Sequence, residues 1–244
     1  MQLKNKIVLI TGGAVRVGRA ISLELSKAGA VIFCQYHSSS DSAQSLKDEI
    51  EREGGRIQIF QSDLSIIKNI DHTVKAAVDA FGRIDVLVNN AALFYKTPLG
   101  EAKEKDWNTL HNLNLKAPFF LSQAVSRHML KQKSGKIINI GDAGAETPFP
   151  AYLPYSITKA GIINMTKGLA KALAPHIQVN CINPGPVMFP EDYSREDKEY
   201  SINQTLLKRE GSAEDIAATV RFLLEGSDFI TGAIIPVDGG RQVR

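Results

Sequence analysis

The sequence predicts a single α/β domain, residues 1–244, in which a seven-stranded parallel sheet carries helices on both faces. Three observations lead there. Seven short runs rich in Val, Ile and Phe recur along the chain, each followed by a longer segment of mixed polarity. The runs are apolar almost throughout, which is how strands read when both faces of their sheet are covered. The intervening segments are amphipathic and long enough for the helical crossovers that parallel neighbours require. No repeat, low-complexity tract or linker interrupts the pattern.

The first strand, 6–10, runs into Thr11-Gly12-Gly13-Ala14-Val15-Arg16-Val17-Gly18 and then a helical run. Glycines there allow a tight turn and let backbone approach a pyrophosphate, which then sits at the positive end of the helix. The spacing is not the plain G-x-G-x-x-G pattern, so an unliganded strand-to-helix turn is the alternative. The second strand, 30–35, is followed by Tyr36-His37-Ser38-Ser39 and an amphipathic stretch over 42–53. The third, 56–61, leads to Asp63-Leu64 and a helix over 67–81, and the fourth, 84–88, ends in Asn89-Asn90-Ala91. A long helical segment spans 106–131 before the fifth strand, 136–140, which ends in Gly141-Asp142. The sixth, 178–182, gives way to Asn183-Pro184-Gly185, and the seventh is 233–237. Six successive strand ends are thus polar or glycine-rich. In a doubly wound sheet ligands bind beyond the carboxyl ends of the strands, so these residues point to one shared ligand edge.

Chemistry enters with Tyr155 and Lys159. Positions i and i+4 share a helix face, so the ammonium is expected near the phenol, lowering a pKa of about 10 toward working pH. Pro118 adds an inference of its own. In a helix over 106–131 its missing N–H leaves the carbonyl of Asn114 without the usual partner. That carbonyl is then free for another role, or the proline marks a kink alone.

The remaining features narrow the field. The net charge is +3 and lysines alternate with acids, as in Glu101-Ala102-Lys103-Glu104-Lys105-Asp106, a solvated face rather than a nucleic-acid patch. No apolar run approaches the roughly 20 residues that span a bilayer, and the start lacks a signal-peptide layout, so a cytoplasmic protein with no membrane partner is expected. Cys34 and Cys181 lie in apolar strand-like stretches and read as buried thiols. The five histidines show no metal-site spacing.

Together these motifs resemble the short-chain dehydrogenase/reductase family along essentially the full length. The family's Thr-Gly-x-x-x-Gly-x-Gly turn matches Thr11, Gly12 and Gly18, with Arg16 in place of the middle glycine. Its Asn-Asn-Ala-Gly segment matches Asn89-Asn90-Ala91-Ala92, its catalytic asparagine Asn114, its Tyr-x-x-x-Lys Tyr155 and Lys159, and its Pro-Gly loop Pro184-Gly185. The resemblance implies a Rossmann fold, a nicotinamide cofactor held by Gly12, Arg16, Val17, Asn90, Ala91, Tyr155, Lys159, Pro184 and Gly185, and a homotetramer. Asp63-Leu64 matches the adenine contact, a helix cap being the alternative. It further implies a water on the Asn114 carbonyl linked to Lys159. NAD-preferring members end the second strand with an acid. Here Tyr36, His37 and Ser38 stand there with no carboxylate before Asp41, which favours NADPH.

Three departures share a direction. The serine that holds a substrate carbonyl oxygen in most members is replaced by Asp142, which as a carboxylate can only accept hydrogen bonds. With Arg16 and Phe94, Asp142 matches the pteridine reductase branch, where the arginine lies by pyrophosphate and pterin and the aromatic ring stacks the pterin; Phe94 as core filler is the plainer alternative. The expected activity is NADPH-dependent reduction of a dihydrobiopterin- or dihydrofolate-like pteridine. Asn114, Asp142, Tyr155 and Lys159 would be its catalytic residues, and Arg16, Phe94, Asp142 and Tyr155 would contact substrate. A general carbonyl reductase, for instance of 3-oxoacyl thioesters, and a catalytically silent NADPH-binding regulator are the competing readings. Residues 186–212 take the place of the family's variable substrate lid, with Pro186, Val187, Met188 and Phe189 positioned to close over substrate and Glu191 to Lys198 a solvated helix face.

Overall fold

The computed structural model describes residues 1–190 and 193–243. Its sheet contains seven parallel strands in the order β3-β2-β1-β4-β5-β6-β7. These are β1 (Ile7–Thr11), β2 (Val31–Tyr36), β3 (Arg56–Gln61), β4 (Val86–Asn89), β5 (Gly135–Ile140), β6 (Ile177–Pro184) and β7 (Ile234–Val237). The helices are α1 (Arg16–Lys27), α2 (Ser40–Arg52), α3 (Ile67–Phe81), α4 (Glu104–His111), α5 (Ala117–Gln132), α6 (Leu153–Leu173), α7 (Arg195–Asn203) and α8 (Ala213–Glu225).

The strands carry apolar residues at odd and even positions because each face of the sheet is a core. Val8, Ile10 and Ile32 point to one side, where Ile21 and Leu25 of α1, Leu46 and Ile50 of α2, and Val220 and Leu224 of α8 cover them. Leu9, Phe33, Leu87 and Ile137 point to the other, against Ile70 and Val74 of α3 and Leu121 and Val125 of α5. Each such side chain contributes about 1.5–3 kcal/mol when fully buried. β1 pairs with β2 on one flank and β4 on the other, and this reversal of strand order sets the ligand crevice at the carboxyl ends of β1 and β4.

Six strands differ from the expected ranges by one or two residues at one end or both, and β3 coincides with its range. The segment expected as one helix over 106–131 is instead broken. α4 ends at His111, a π-helical turn occupies Asn112–Lys116, and α5 starts at Ala117. The N–H of Ala117 bonds the carbonyl of Asn112, five residues back instead of four. Pro118 explains the break: with no N–H to donate to Asn114, the chain widens its turn at this point. In the lid, Ser194 and Asp197 cap α7 reciprocally, so the charged run after Tyr193 is a short solvated helix. Glu191 and Asp192 of the same run lie outside the described residues.

Candidate active site

The turn after β1 is closed by contacts that only glycine permits. Gly12 has φ +58°, and a Cβ on Gly18 would stand 2.1 Å from the Gly12 carbonyl oxygen. Asn90 fastens the turn, its Nδ2 donating to the carbonyls of Thr11 (2.9 Å) and Gly12 (3.1 Å). Thr11 Oγ1 in return accepts from the backbone N–H of Asn90 at 2.9 Å and of Ala91 at 3.0 Å. Gln35, given no role of its own in the sequence reading, binds three strands here: its Oε1 accepts from Gly12 N (3.1 Å) and its Nε2 donates to the Ser62 carbonyl (2.6 Å). An amide at the end of the otherwise apolar β2 is the signal that would have found it. Val17 is half-buried, packing against the core, while Arg16 is exposed with φ +51° and donates to the Met188 carbonyl in the lid. Gly185 also needs its missing Cβ, which would lie 2.6 Å from the Cα of Asp238, and Pro184 ends β6 beside it.

At the far end of the crevice Tyr36 is half-buried and His37 and Ser38 are exposed, with the His37 carbonyl tied to Gln61 Nε2 at 2.9 Å. Leu64 is buried. Asp63 Oδ1 accepts from Ser65 N at 2.9 Å, a local turn and not a helix cap, since α3 begins after Ile66. Burial pushes this carboxyl up, but the Ser65 bonds and the neighbouring His37 outweigh it and hold it below its ordinary value.

The catalytic candidates meet where β5 faces α6. Tyr155 Oη donates to Asp142 Oδ2 at 2.8 Å, and Asp142 Oδ1 accepts from Gly144 N at 2.6 Å. Lys159 lies one turn along, its Nζ 5.7 Å from the Tyr155 ring centre and bonded to the Ile140 carbonyl at 2.9 Å. Asn114 sits behind them: its Oδ1 accepts from Leu93 N (2.8 Å) and its Nδ2 donates to the Leu93 carbonyl (2.9 Å). Its side chain therefore clamps the loop that carries Phe94, with a longer bond to Thr158 of α6 at 3.4 Å. Beneath the site Asn89 Nδ2 donates to Asn139 Oδ1 (2.8 Å), and Asn139 Nδ2 to Thr166 Oγ1 (2.9 Å), so the ends of β4 and β5 and helix α6 are held in register by buried amides.

The electrostatics differ from the sequence expectation. Lys159 was expected to lower the Tyr155 pKa, yet Tyr155 is held well above its ordinary value. Burial is the main cause and the Asp142 carboxylate the next, since both disfavour a second negative charge. Asp142 is only half-buried as a residue, but its carboxyl lies deep, and desolvation raises its pKa against the Gly144 N–H and Lys159. Desolvation lowers Lys159. These three groups share one pocket in which each resists charging.

An aromatic wall faces them. Phe94 stacks on Tyr152 with ring centres 4.3 Å apart and meets Tyr155 edge-on at 4.8 Å. Tyr152 and Tyr193 share a hydroxyl hydrogen bond of 3.0 Å, and Phe189 stacks with Tyr193 at 5.8 Å, so the lid closes onto this wall. The Gly239 carbonyl accepts from Leu206 N (2.8 Å), tying Asp238-Gly239-Gly240 to the lid. Phe94, Asp142, Tyr155, Lys159 and Asn114 are thus brought together. Tyr36, His37, Ser38 and Asp63 form a separate group along the crevice, and Arg16 bridges the turn to the lid.

A family model described as short chain dehydrogenase matches residues 6–199. A 3-oxoacyl-[acyl-carrier-protein] reductase of Synechocystis is 37% identical over 242 residues, covering 98% of this chain and 97% of the relative. Two solved structures share the fold along nearly its whole length. One is the FolM alternative dihydrofolate reductase 1 of Brucella canis complexed with NADP (TM-score 0.93, 32% identity, 100% of this chain and 96% of that one). The other is a blue fluorescent protein from a metagenomic library in complex with NADPH (TM-score 0.92, 34% identity, 99% of each chain). With the glycine turn, the switch of strand order and the Tyr155–Lys159 helix all in place, the chain belongs to the short chain dehydrogenase family.

Proposed function

We propose that this protein is an NADPH-dependent reductase of a pteridine of the dihydrobiopterin or dihydrofolate type. One observation carries the reading: Asp142 occupies the place of a carbonyl-binding hydroxyl and is hydrogen-bonded to Tyr155 at 2.8 Å. The likeness to an alternative dihydrofolate reductase complexed with NADP supports it.

The residues present fit the cofactor. The space a Cβ would fill at Gly18 is taken by the folded turn itself, which leaves backbone N–H groups and the α1 terminus for a pyrophosphate. Tyr36, His37 and Ser38 offer hydroxyls and an imidazole that would hold a ribose phosphate, and Lys159 and Tyr155 would hold the nicotinamide end. When bound, NADPH supplies the hydride. Asp142 accepts the N–H donors of the pteridine and fixes its face, while Phe94 covers the flat ring. Tyr155 gives its phenolic proton to the ring nitrogen next to the carbon that takes the hydride, so one C=N bond becomes CH–NH. The Lys159 ammonium offsets the phenolate that this leaves. Asp142 Oδ2, which accepts the Tyr155 hydroxyl, aims that proton, and water restores it to the phenolate when product leaves.

The full-length identity to a 3-oxoacyl-[acyl-carrier-protein] reductase favours a second reading, carbonyl reduction of an acyl thioester. Asp142 weighs against it, because a carboxylate repels the charge that develops on a carbonyl oxygen. The deciding test is NADPH oxidation with 7,8-dihydrobiopterin, 7,8-dihydrofolate and an acetoacetyl thioester in parallel. Pteridine turnover supports the reading, thioester turnover alone replaces it with the second, and tight NADPH binding with no turnover makes the protein a cofactor-binding regulator. We also infer a cytoplasmic homotetramer. Exposed Trp107, Phe119, Phe222 and Phe229 supply apolar surface for assembly, and light scattering on the purified chain tests the tetramer.

A further inference from the structure

We propose that Asn183 is a positioning residue for the reduction: its amide holds the Gly141 backbone, from which the contacts of both Lys159 and Tyr155 hang. The inference rests on Tyr155 and Lys159 being the reacting pair, and it is the same for a pteridine or a carbonyl substrate. Gly141 is the single residue between two contacts of the site. On one side the Ile140 carbonyl accepts from Lys159 Nζ at 2.9 Å, and on the other Asp142 Oδ2 accepts from Tyr155 Oη at 2.8 Å. Asn183, fully buried near the end of β6, stands against this residue. A Cβ on Gly141 would lie 2.0 Å from Asn183 Oδ1 and 3.2 Å from its Cγ. The φ of Gly141 is not left-handed, so space and not conformation requires the glycine.

The bonds of Asn183 agree with that role. Its Oδ1 accepts from the Cys181 thiol, a weak donor, at 3.4 Å. Burial pushes that thiol up to about 12, so it keeps its proton. Asn183 Nδ2 has no partner among the described residues, and a buried donor without one is a cost to the fold. The amide therefore does not strengthen the protein through hydrogen bonds of its own. It fills the place that a side chain at 141 would take. The Gly141 N–H bonds the Ile182 carbonyl at 2.7 Å, so the strand fixes the nitrogen and Asn183 blocks rotation beyond it. Turning this one residue would carry the Ile140 carbonyl and Asp142 apart and spoil the alignment of ammonium and phenol that proton transfer needs.

The test compares wild type, Asn183→Ala, Gly141→Ala and the double variant. It reads kcat and KM for 7,8-dihydrobiopterin and an acetoacetyl thioester at saturating NADPH, together with a carbon NMR titration of the Asp142 carboxyl. Asn183→Ala should lower kcat about tenfold on whichever substrate the wild type reduces, with KM near wild type, since a misplaced group costs rate before binding. The Asp142 carboxyl is held above 3.8 mainly by burial and is faced by the Gly144 N–H, Lys159, Tyr155 and Arg241. In Asn183→Ala it should titrate closer to 3.8, because Gly141 is then free to turn it toward water. Gly141→Ala should lower kcat about 100-fold, and adding Asn183→Ala should restore about tenfold, the new methyl taking the place of the amide. Wild-type kcat in Asn183→Ala, or an unmoved Asp142 titration, overturns the inference and makes Asn183 core filling. A double variant no faster than Gly141→Ala overturns it too; if Gly141→Ala does not fold, Asn183→Ala alone decides. A wild type that reduces neither substrate removes Tyr155 as proton donor, while the titration still decides whether Asn183 holds Asp142 in place.

Discussion

Replacing Asp142 with asparagine keeps the shape of the site and removes its charge, and the consequences for stability and for catalysis run in opposite directions. Burial raises the Asp142 pKa above its ordinary value of 3.8. A carboxyl that titrates higher in the fold contributes fully to stability below its unfolded pKa, and the contribution is lost as pH rises through the folded one. Asparagine does not titrate. The stability difference should therefore shift toward Asp142→Asn as pH rises above about 4, by roughly 1.4 kcal/mol for each unit that separates the two pKa values. Lys159 loses a favourable neighbour in the variant, but that penalty is flat with pH wherever the ammonium stays protonated, so the slope reports the carboxyl. Urea unfolding of both proteins across this range measures it. A difference that is flat, or that moves toward wild type as pH rises, refutes the assignment of a desolvated carboxyl. Catalysis should move the other way. If asparagine Oδ1 keeps the 2.6 Å bond from Gly144 N, its Nδ2 faces Tyr155, which turns from donor to acceptor. Pteridine turnover should then fall by about 10²–10⁴, the scale of a lost general-acid arrangement.

Three further outcomes are expected. Tyr155→Phe should lower kcat by at least about 100-fold while NADPH affinity, read by fluorescence titration, stays within about threefold; unchanged turnover would remove Tyr155 as proton donor. Gly18→Ala puts a Cβ 2.1 Å from the Gly12 carbonyl oxygen, so the turn must open and NADPH binding should be lost; a normal dissociation constant would show that the turn does not hold the cofactor. Asn114→Ala leaves both backbone groups of Leu93 without their side-chain partner and should cost about 1–3 kcal/mol, with faster amide exchange confined to residues 91–95 and lower kcat; intact exchange protection there would mean the clamp carries no weight.

The order of strands and helices was legible in the sequence because local chemistry dictates it. Short apolar runs rich in β-branched residues, closed by turn signals and separated by helical segments, read as buried parallel strands, and Gly12, Gly18 and Gly185 stand where backbone must approach backbone. Pro118 marked the Asn114 carbonyl as lacking its usual helical partner, since the missing N–H is a covalent fact, but the π-helical turn that breaks the 106–131 segment was not foreseen. Partners were another matter. Gln35 reaching Ser62, Asn114 gripping Leu93 and Arg241 lying on Phe149 join residues 21 to 92 positions apart, and no pattern along the chain encodes such pairings. The Tyr155 pKa shows the difference most plainly. Spacing alone put a lysine beside the phenol and so favoured its ionisation. Tertiary folding added burial and a carboxylate 2.8 Å away, and desolvation together with like charge outweighed one neighbouring cation.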